Sequence, residues 1–483
     1  MRRQVIALSI ANALALGVGG IAYIVYSRLL TPAEFGLYGI AFAAARFCVL
    51  VLDGGLKTAI IKHPVRLTAA DETAVTLVSG ALAFILLLGT AGAVVVAPAA
   101  GVVSTDDALF CAWYVAAYVG TYPLIVVPTA WLERELRYVP LSAVESVAIA
   151  VELAGAAPLM LASELGVWSF VAAAAAGRIL RVAALLALRP IRWNRPGKLS
   201  VAIVQDLVKE GARYQGSVAL SMIRDNLHVL IVAPWFGKAW AGYYAWALQL
   251  CMFSSQVFVA AAARISIPAH ASTPSFDVRW ENTLLQMRWL GALTIPILAA
   301  VWLLAPVVDA LWFEYKWSPA IALLALLFAR MVPGIGTSPL GTLVLVERGA
   351  GALVRANLVW TATEVAGALV ACALLGPIGL AWSYALVVWV GFFAFLANGL
   401  PNQGLRAAQQ TVSVLLVRPA LWVSVFGAIV VSRIGAEIPP SWPGGWPASA
   451  SALVPLGAAM VIVIAYLAEG LMQRRRPVVE SPR

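Results

Sequence analysis

The chain has 483 residues, of which 62% are hydrophobic and only 12% charged, with a mean hydropathy of +0.89. Soluble domains carry roughly a quarter charged residues, so a soluble globular protein is excluded. Apolar runs of about 20 residues, the length that crosses a bilayer as helix, recur from end to end and predict an all-α, polytopic membrane protein. The pI near 9.6 and net charge of +10 invite a nucleic-acid reading, which the placement of the charges rejects.

In chain order, spans are predicted at 5–29, 36–62, 73–98, 108–128, 140–162, 165–188, 213–235, 240–263, 287–311, 318–346, 351–375, 377–399, 412–432 and 448–470. That makes about fourteen. The first carries small residues in "ANALALG" (11–17), but its apolar run continues to Leu30, so it reads as an uncleaved span. The four cysteines, Cys48, Cys111, Cys251 and Cys372, lie apart inside apolar runs and read as small buried hydrophobes rather than disulfides or metal ligands. No metal site and no cofactor are expected.

Lys and Arg orient the spans. With the N-terminus in the cytoplasm, the inner loops collect nearly all of the loop cations, from Arg2 and Arg3 to Arg474, Arg475 and Arg476. Only Arg28, Lys238, Lys316 and Arg433 fall outside. This is a positive-inside pattern with both termini cytoplasmic, and the net charge is mainly a topology signal. Contact with anionic headgroups is compatible with it; nucleic acid is not an expected partner. Outer loops are short, the longest being the Pro/Gly/Trp stretch "EIPPSWPGGWPAS" (437–449). The inner loops include two amphipathic stretches, "AWLERELRY" (130–138) and "VQDLVKEGARY" (204–214). The second follows the basic linker "RPIRWNRPGK" (189–198) and reads as an interfacial helix joining two lobes.

The two halves repeat. Gly36 and Tyr38 in "EFGLYGIAF" (34–42) are answered by Gly242 and Tyr244 in "WAGYYAWAL" (240–248). "WLER" (131–134) is answered by "LVER" (345–348), "ELAGA" (152–156) by "EVAGA" (364–368), and Trp168-Ser169 by Trp382-Ser383. The matches keep their order at nearly constant spacing. A unit of six spans preserves orientation, so two parallel lobes related by an axis along the membrane normal are expected. The resulting division is an N-lobe at 1–188, a linker with amphipathic helix at 189–212, a C-lobe at 213–400, and two further spans with a basic tail at 401–483.

Several of these stretches resemble bacterial polysaccharide and oligosaccharide-lipid flippases. They are "SRLLTPAEFGLYGIAFAAARFCVLVLDGGLKTAIIKH" (27–63), "WLERELRYVPLSAVES" (131–146), "GYYAWALQLCMFSSQVFVAAAARISIPA" (242–269) and "YKWSPAIALLALL" (315–327). The resemblance spans most of residues 1–400. It implies the fourteen-helix, two-lobe fold of the multidrug/oligosaccharidyl-lipid/polysaccharide flippase superfamily. It also implies translocation of undecaprenyl-diphosphate-linked oligosaccharide across a bacterial inner membrane for O-antigen, capsule or exopolysaccharide assembly. In such proteins arginines of a central cavity are thought to meet the diphosphate or acidic sugars. Expected partners are the lipid-linked glycan, membrane lipids, and a polymerase or glycosyltransferase complex.

Charges inside spans cost about 2.5–3.5 kcal/mol each at a helix centre, and usually face an interior or an aqueous cavity. Arg46, Glu152, Arg178, Arg224, Asp225, Arg330 and Glu364 fall near mid-membrane, with Asp53, Glu145, Arg181, Arg213 and Arg288 nearer the inner surface. Arg46 and Asp53, seven residues apart, share a helix face about 10 Å apart along the axis, so each looks elsewhere for a partner. Arginine suits a diphosphate because its fork stays charged and binds phosphate oxygens bidentately. The cavity candidates are therefore Arg28, Arg46, Asp53, Arg224 and Asp225. For Arg178, Arg330, Glu152 and Glu364 two roles are open, substrate contact or helix-to-helix pairing of Glu152 and Glu364 with Arg178 or Arg330. His228 reads as a packing residue. The absence of a Walker A pattern excludes direct ATP coupling. No hydrolase or metalloenzyme motif appears, and no outer loop has room for a polymerase or ligase domain, so an enzyme is not expected. A drug/cation antiporter of the same superfamily is the alternative with the same fold.

Overall fold

The structure, a computed structural model, describes residues 17–63, 67–99, 103–195, 198–272 and 275–399. Every predicted span from the second to the twelfth has its helix, and residues 17–29 (α1) form the described part of the first. The thirteenth and fourteenth predicted spans lie outside the described residues. The described residues are helical throughout, joined by short turns and without a strand.

α2 (Pro32–Asp53) shows how the sequence sets a helix start. Thr31 accepts from the Glu34 amide, Glu34 reaches back to the Thr31 amide at 2.8 Å, and Pro32 occupies the first turn. This reciprocal box satisfies two orphan donors, and Pro costs nothing where no amide bond is needed. Thr31→Ala is expected to destabilise the protein by about 1 kcal/mol, measurable as a drop in thermal midpoint in detergent. The second span, predicted at 36–62, runs from Pro32 to Lys62 with its helix interrupted by two residues. Gly54 and Gly55 take φ of +46° and +78°, and α3 (Leu56–Lys62) begins afresh. Left-handed backbone favours glycine; a hydropathy average does not register it.

Two compact units divide the chain, one up to Ala245 and one from Trp246. In the first, α5 (Thr105–Arg134) packs against α2, α4 (Ala69–Ala99) and α8 (Ser169–Leu188), and α8 also packs on α6 (Tyr138–Ala154). A short α7 (Ala156–Ala162) follows α6. α4 turns Phe84, Ile85, Val95 and Val96 outward, as expected where lipid, not water, is the solvent. The amphipathic stretch 204–214 is continuous with the start of the seventh span in one helix, α9 (Lys198–Asp225). That span then breaks. Residues His228–Val232 form a π turn, α10 (Ala233–Phe236) follows, and the two halves are bent by 52°.

At the basic end of this unit the linker is tied down. Glu72, fully buried, accepts from Arg189 (2.8 Å), from the Arg192 guanidinium (2.6 and 3.1 Å) and from the Arg192 amide (3.1 Å). Asn194 donates its amide to Thr73, one residue along α4. Bonding to Glu72 raises the pKa of the Arg192 guanidinium further above its usual range.

In the second unit, α11 (Lys238–Ser272), which starts in the first unit, is followed by α12 (Phe276–Trp312), α13 (Ser318–Arg348), α14 (Ala350–Leu375) and α15 (Gly379–Gly399). Trp280, Met287, Leu343, Trp360, Phe392 and Phe395 form its core at the α12, α13, α14 and α15 contacts.

Candidate functional site

The mid-span charges fall into two groups. In the first unit Glu152 of α6 places one oxygen 3.1 Å from Arg178 Nε of α8 and accepts from the Tyr118 hydroxyl of α5 with the other, at 2.8 Å. The Arg178 guanidinium lies 3.6 Å from the Tyr118 ring centroid, a cation–π contact strengthened where water is scarce. Further along the same two helices, Arg181 meets Glu145 at 2.6 Å. In the second unit Arg330 of α13 stands 3.6 Å from the fully buried Glu364 of α14, with its guanidinium 3.9 Å from the Tyr384 ring of α15.

Arg, Glu and Tyr thus recur in both units with exchanged positions. Glu152 and Glu364 are repeat equivalents, 212 residues apart, and at the same spacing Tyr118 corresponds to Arg330. The arginine comes from the sixth span in one unit and from the tenth, counterpart of the fourth, in the other. Of the two roles left open for Arg178, Arg330, Glu152 and Glu364, the observed contacts are helix-to-helix pairing.

The remaining candidates are arranged differently. Arg46 is exposed on α2, its guanidinium 5.6 Å from the Phe42 ring centroid, and it has no carboxylate within ion-pair distance among the described residues. Asp53 looks to another helix, accepting from the Tyr122 hydroxyl of α5 and from the Gly55 amide. Arg28 is exposed in the last turn of α1. Arg224, buried, donates to Ser221 at 3.3 Å, and Asp225 beside it is exposed. Both end α9 at the break in the seventh span, where Asn226 turns its amide back to the Met222 carbonyl. His228 is buried in the π turn.

Discontinuous helices of this kind line substrate and ion sites in transporters because freed backbone groups are tolerated only beside a cavity or buried in protein. Hydropathy missed the break; Asn226 in mid-span was the available signal. The tyrosines were missed too, although Tyr114, Tyr118 and Tyr122 recur every fourth residue, on one face of α5.

At the end away from the basic loops, α2 and the start of α11 cross back to back. A methyl group on Gly36 would strike the Lys238 carbonyl, and one on Gly242 would strike the Pro32 carbonyl. Gly36 and Pro32 are the repeat equivalents of Gly242 and Lys238, each 206 residues apart. The contact is therefore reciprocal. It closes this end of the α2–α11 seam.

Residues 25–322 match the family model described as polysaccharide biosynthesis protein. The chain belongs to that family. Its fold is similar to that of a lipid II flippase, MurJ, in an inward-closed conformation, with a TM-score of 0.72 at 12% identity, over 98% of this chain and 100% of that one. It is also similar to an inward-facing multidrug resistance MATE family transporter of the MOP superfamily, with a TM-score of 0.60 at 14% identity over 82% and 95% of the two chains. MATE in complex with MaL6 gives 0.57 at 14% identity over 84% and 96%. A search of curated proteins finds no significant match. The family member is thus a multi-pass membrane protein with the fold of flippases and transporters.

Proposed function

We propose that this protein is an ATP-independent flippase that carries undecaprenyl-diphosphate-linked oligosaccharide from the inner to the outer leaflet of a bacterial inner membrane, for surface polysaccharide assembly. The observation that carries the reading is Arg46, an exposed cation well inside a span, beside the Phe42 ring and with no carboxylate within ion-pair distance among the described residues, while Arg178 and Arg330 each stand against a glutamate. An exposed guanidinium at that depth is costly to retain and chemically suited to a diphosphate passing through. Arg224 and Asp225 at the break of the seventh span are the second element of the site, and Arg28 and Asp53 lie toward its two ends.

The transport cycle is read as rocking of a lobe of residues 1–188 against one of residues 213–400, joined by 189–212, with 401–483 outside the repeat and both termini in the cytoplasm. Membrane potential or an ion gradient drives it. The reciprocal glycine crossing fits a closed outer end in such a cycle. A polymerase or glycosyltransferase complex would receive the glycan.

Arg46→Ala and Arg224→Ala are expected to leave the protein inserted and to cut surface-glycan export in a flippase-null strain by roughly ten- to a hundredfold, the equivalent of one charge-assisted hydrogen bond each. Arg46→Lys keeps the charge and should lose less. Normal export by both alanine variants would end the cationic-site reading, and failure of the wild-type chain to restore export would end the flippase reading.

A further inference from the structure

The first unit holds a half-open cavity of about 1300 Å³ that the proposed transport site does not use. Its walls come from α2, α4, α5 and the outer half of the broken seventh span, with Cys48, Gly89, Ala93, Cys111 and Val229 among them. The bend of that span, continued by Pro234, holds α10 at an angle to α9 and shapes one wall. α2, α4 and α5 form the others, with small side chains at Ala44, Gly89, Ala93 and Ala112.

Below the mouth the walls are apolar. Thr90, a polar exception, donates back to the Leu86 carbonyl at 2.7 Å, so a water there would find few of the roughly 2–4 polar partners it needs. Drug-sized ligands occupy pockets of roughly 300–1,000 Å³; this one suits a longer hydrocarbon chain. Its mouth is charged. Lys238 Nζ lies 2.8 and 3.0 Å from the two oxygens of Asp107, and Ser104 caps the same turn of α5. The Lys238 side chain is nearly half exposed, at 46%.

We propose that this cavity is a structural lipid site that takes one acyl chain of a zwitterionic phospholipid, with the head group across the Lys238–Asp107 pair. The phosphate meets Lys238 and the amine of a phosphoethanolamine meets Asp107, so each charge of the pair exchanges one opposite partner for another. A purely anionic head satisfies Lys238 but sets a second negative charge against Asp107. An isoprenyl diphosphate does so with more charge still, which separates this site from the transport site. The bound chain fills the space between α4, α5 and the bent span and ties the three together. The proposal stands whether or not the flippase reading holds.

The test uses the full chain in nanodiscs of mixed phosphatidylethanolamine and phosphatidylglycerol, with a phosphatidylethanolamine probe carrying a diazirine on its acyl chain. Adducts are expected to concentrate on residues 86–97 and 108–115. Gly89→Phe should abolish them while adducts elsewhere persist, because a side chain at Gly89 enters open space. Ala93→Phe is the second filling variant, and excess unlabelled phosphatidylethanolamine should compete the adducts away in the wild type. Adducts spread evenly over the lipid-facing helices, or unchanged by both fillings, would overturn the site. Asp107→Asn should shift selection toward a phosphatidylglycerol probe. Unchanged selection, or equal labelling by an isoprenyl-diphosphate probe, would overturn the assignment of the head group.

Discussion

Gly36→Ala is expected to lower the thermal midpoint of the detergent-solubilised protein sharply and to abolish glycan export, and Gly242→Ala to do the same. The added methyl meets backbone, the Lys238 carbonyl in one case and the Pro32 carbonyl in the other. Backbone cannot rotate away as a side-chain tip can, so the helices have to separate. Overpacking of this kind costs about 1–3 kcal/mol and occasionally more. Gly39 supplies the control. It lies one turn further along the same crossing, but a methyl there would meet the Ala245 side chain at 3.4 Å, ordinary contact. Gly39→Ala should therefore leave the midpoint and export nearly unchanged. Equal behaviour of Gly36→Ala and Gly39→Ala would show that the crossing is not backbone-limited. Because Gly36 and Gly242 are counterparts, the double variant should lose less than the sum of the two, since the first separation already makes room for the second methyl.

The second large effect is expected at Glu72. Its carboxylate is fully buried and collects Arg189, Arg192 and a backbone amide of the linker. Removing one member of a buried ion cluster leaves the others desolvated and unpaired, a loss of about 3–5 kcal/mol. Arg192 is half exposed, at 51%, and recovers water when the pair breaks, so the low end, about 3 kcal/mol, is expected for Glu72→Ala. Glu133→Ala, which breaks the partly exposed pair with Lys57, should cost no more than about 1 kcal/mol. Thermal unfolding of the two variants side by side decides the matter. A Glu72→Ala loss as small as that of Glu133→Ala would mean that the linker is not held by this cluster. Proteolysis within 189–198 should rise in Glu72→Ala alone, since the released segment carries Arg189, Arg192 and Arg195.

The family motif "RLLTPAEFGLY" acquires a physical account. Thr31, Pro32 and Glu34 start α2, Gly36 lets it cross α11, and Tyr38 stacks on Phe170 of α8 at 4.0 Å. The spacing of these residues was visible in the chain. That the glycine faces its own repeat counterpart was not, because repetition reveals equivalence and not contact.

The same division runs through the intramembrane charges. Their presence at mid-span, and the duplication of Glu152 as Glu364, were legible. The choice of Arg178 on α8 for one and Arg330 on α13 for the other was not, since it depends on which neighbour each helix face meets. Asp53 was legible as an anomaly two turns from Arg46, yet its partner Tyr122 lies 69 residues away on α5. The breaks at Gly54–Gly55 and at Asn226 escaped for a different reason. Hydropathy is averaged over a span, and a local change of φ or a π turn leaves that average untouched.

By itself the sequence determined that this is a helical membrane protein, where most of its spans lie, that its cations sit mainly on one side of the spans, and that its halves repeat. These properties are sums over neighbouring residues, and burial in lipid rewards them directly. The tertiary structure decided which charges pair with each other, that Arg46 is exposed, where the seventh span bends, and that two equivalent glycines meet. Those outcomes depend on helix rotation and register to within a residue, and packing across helices, not composition along them, sets both.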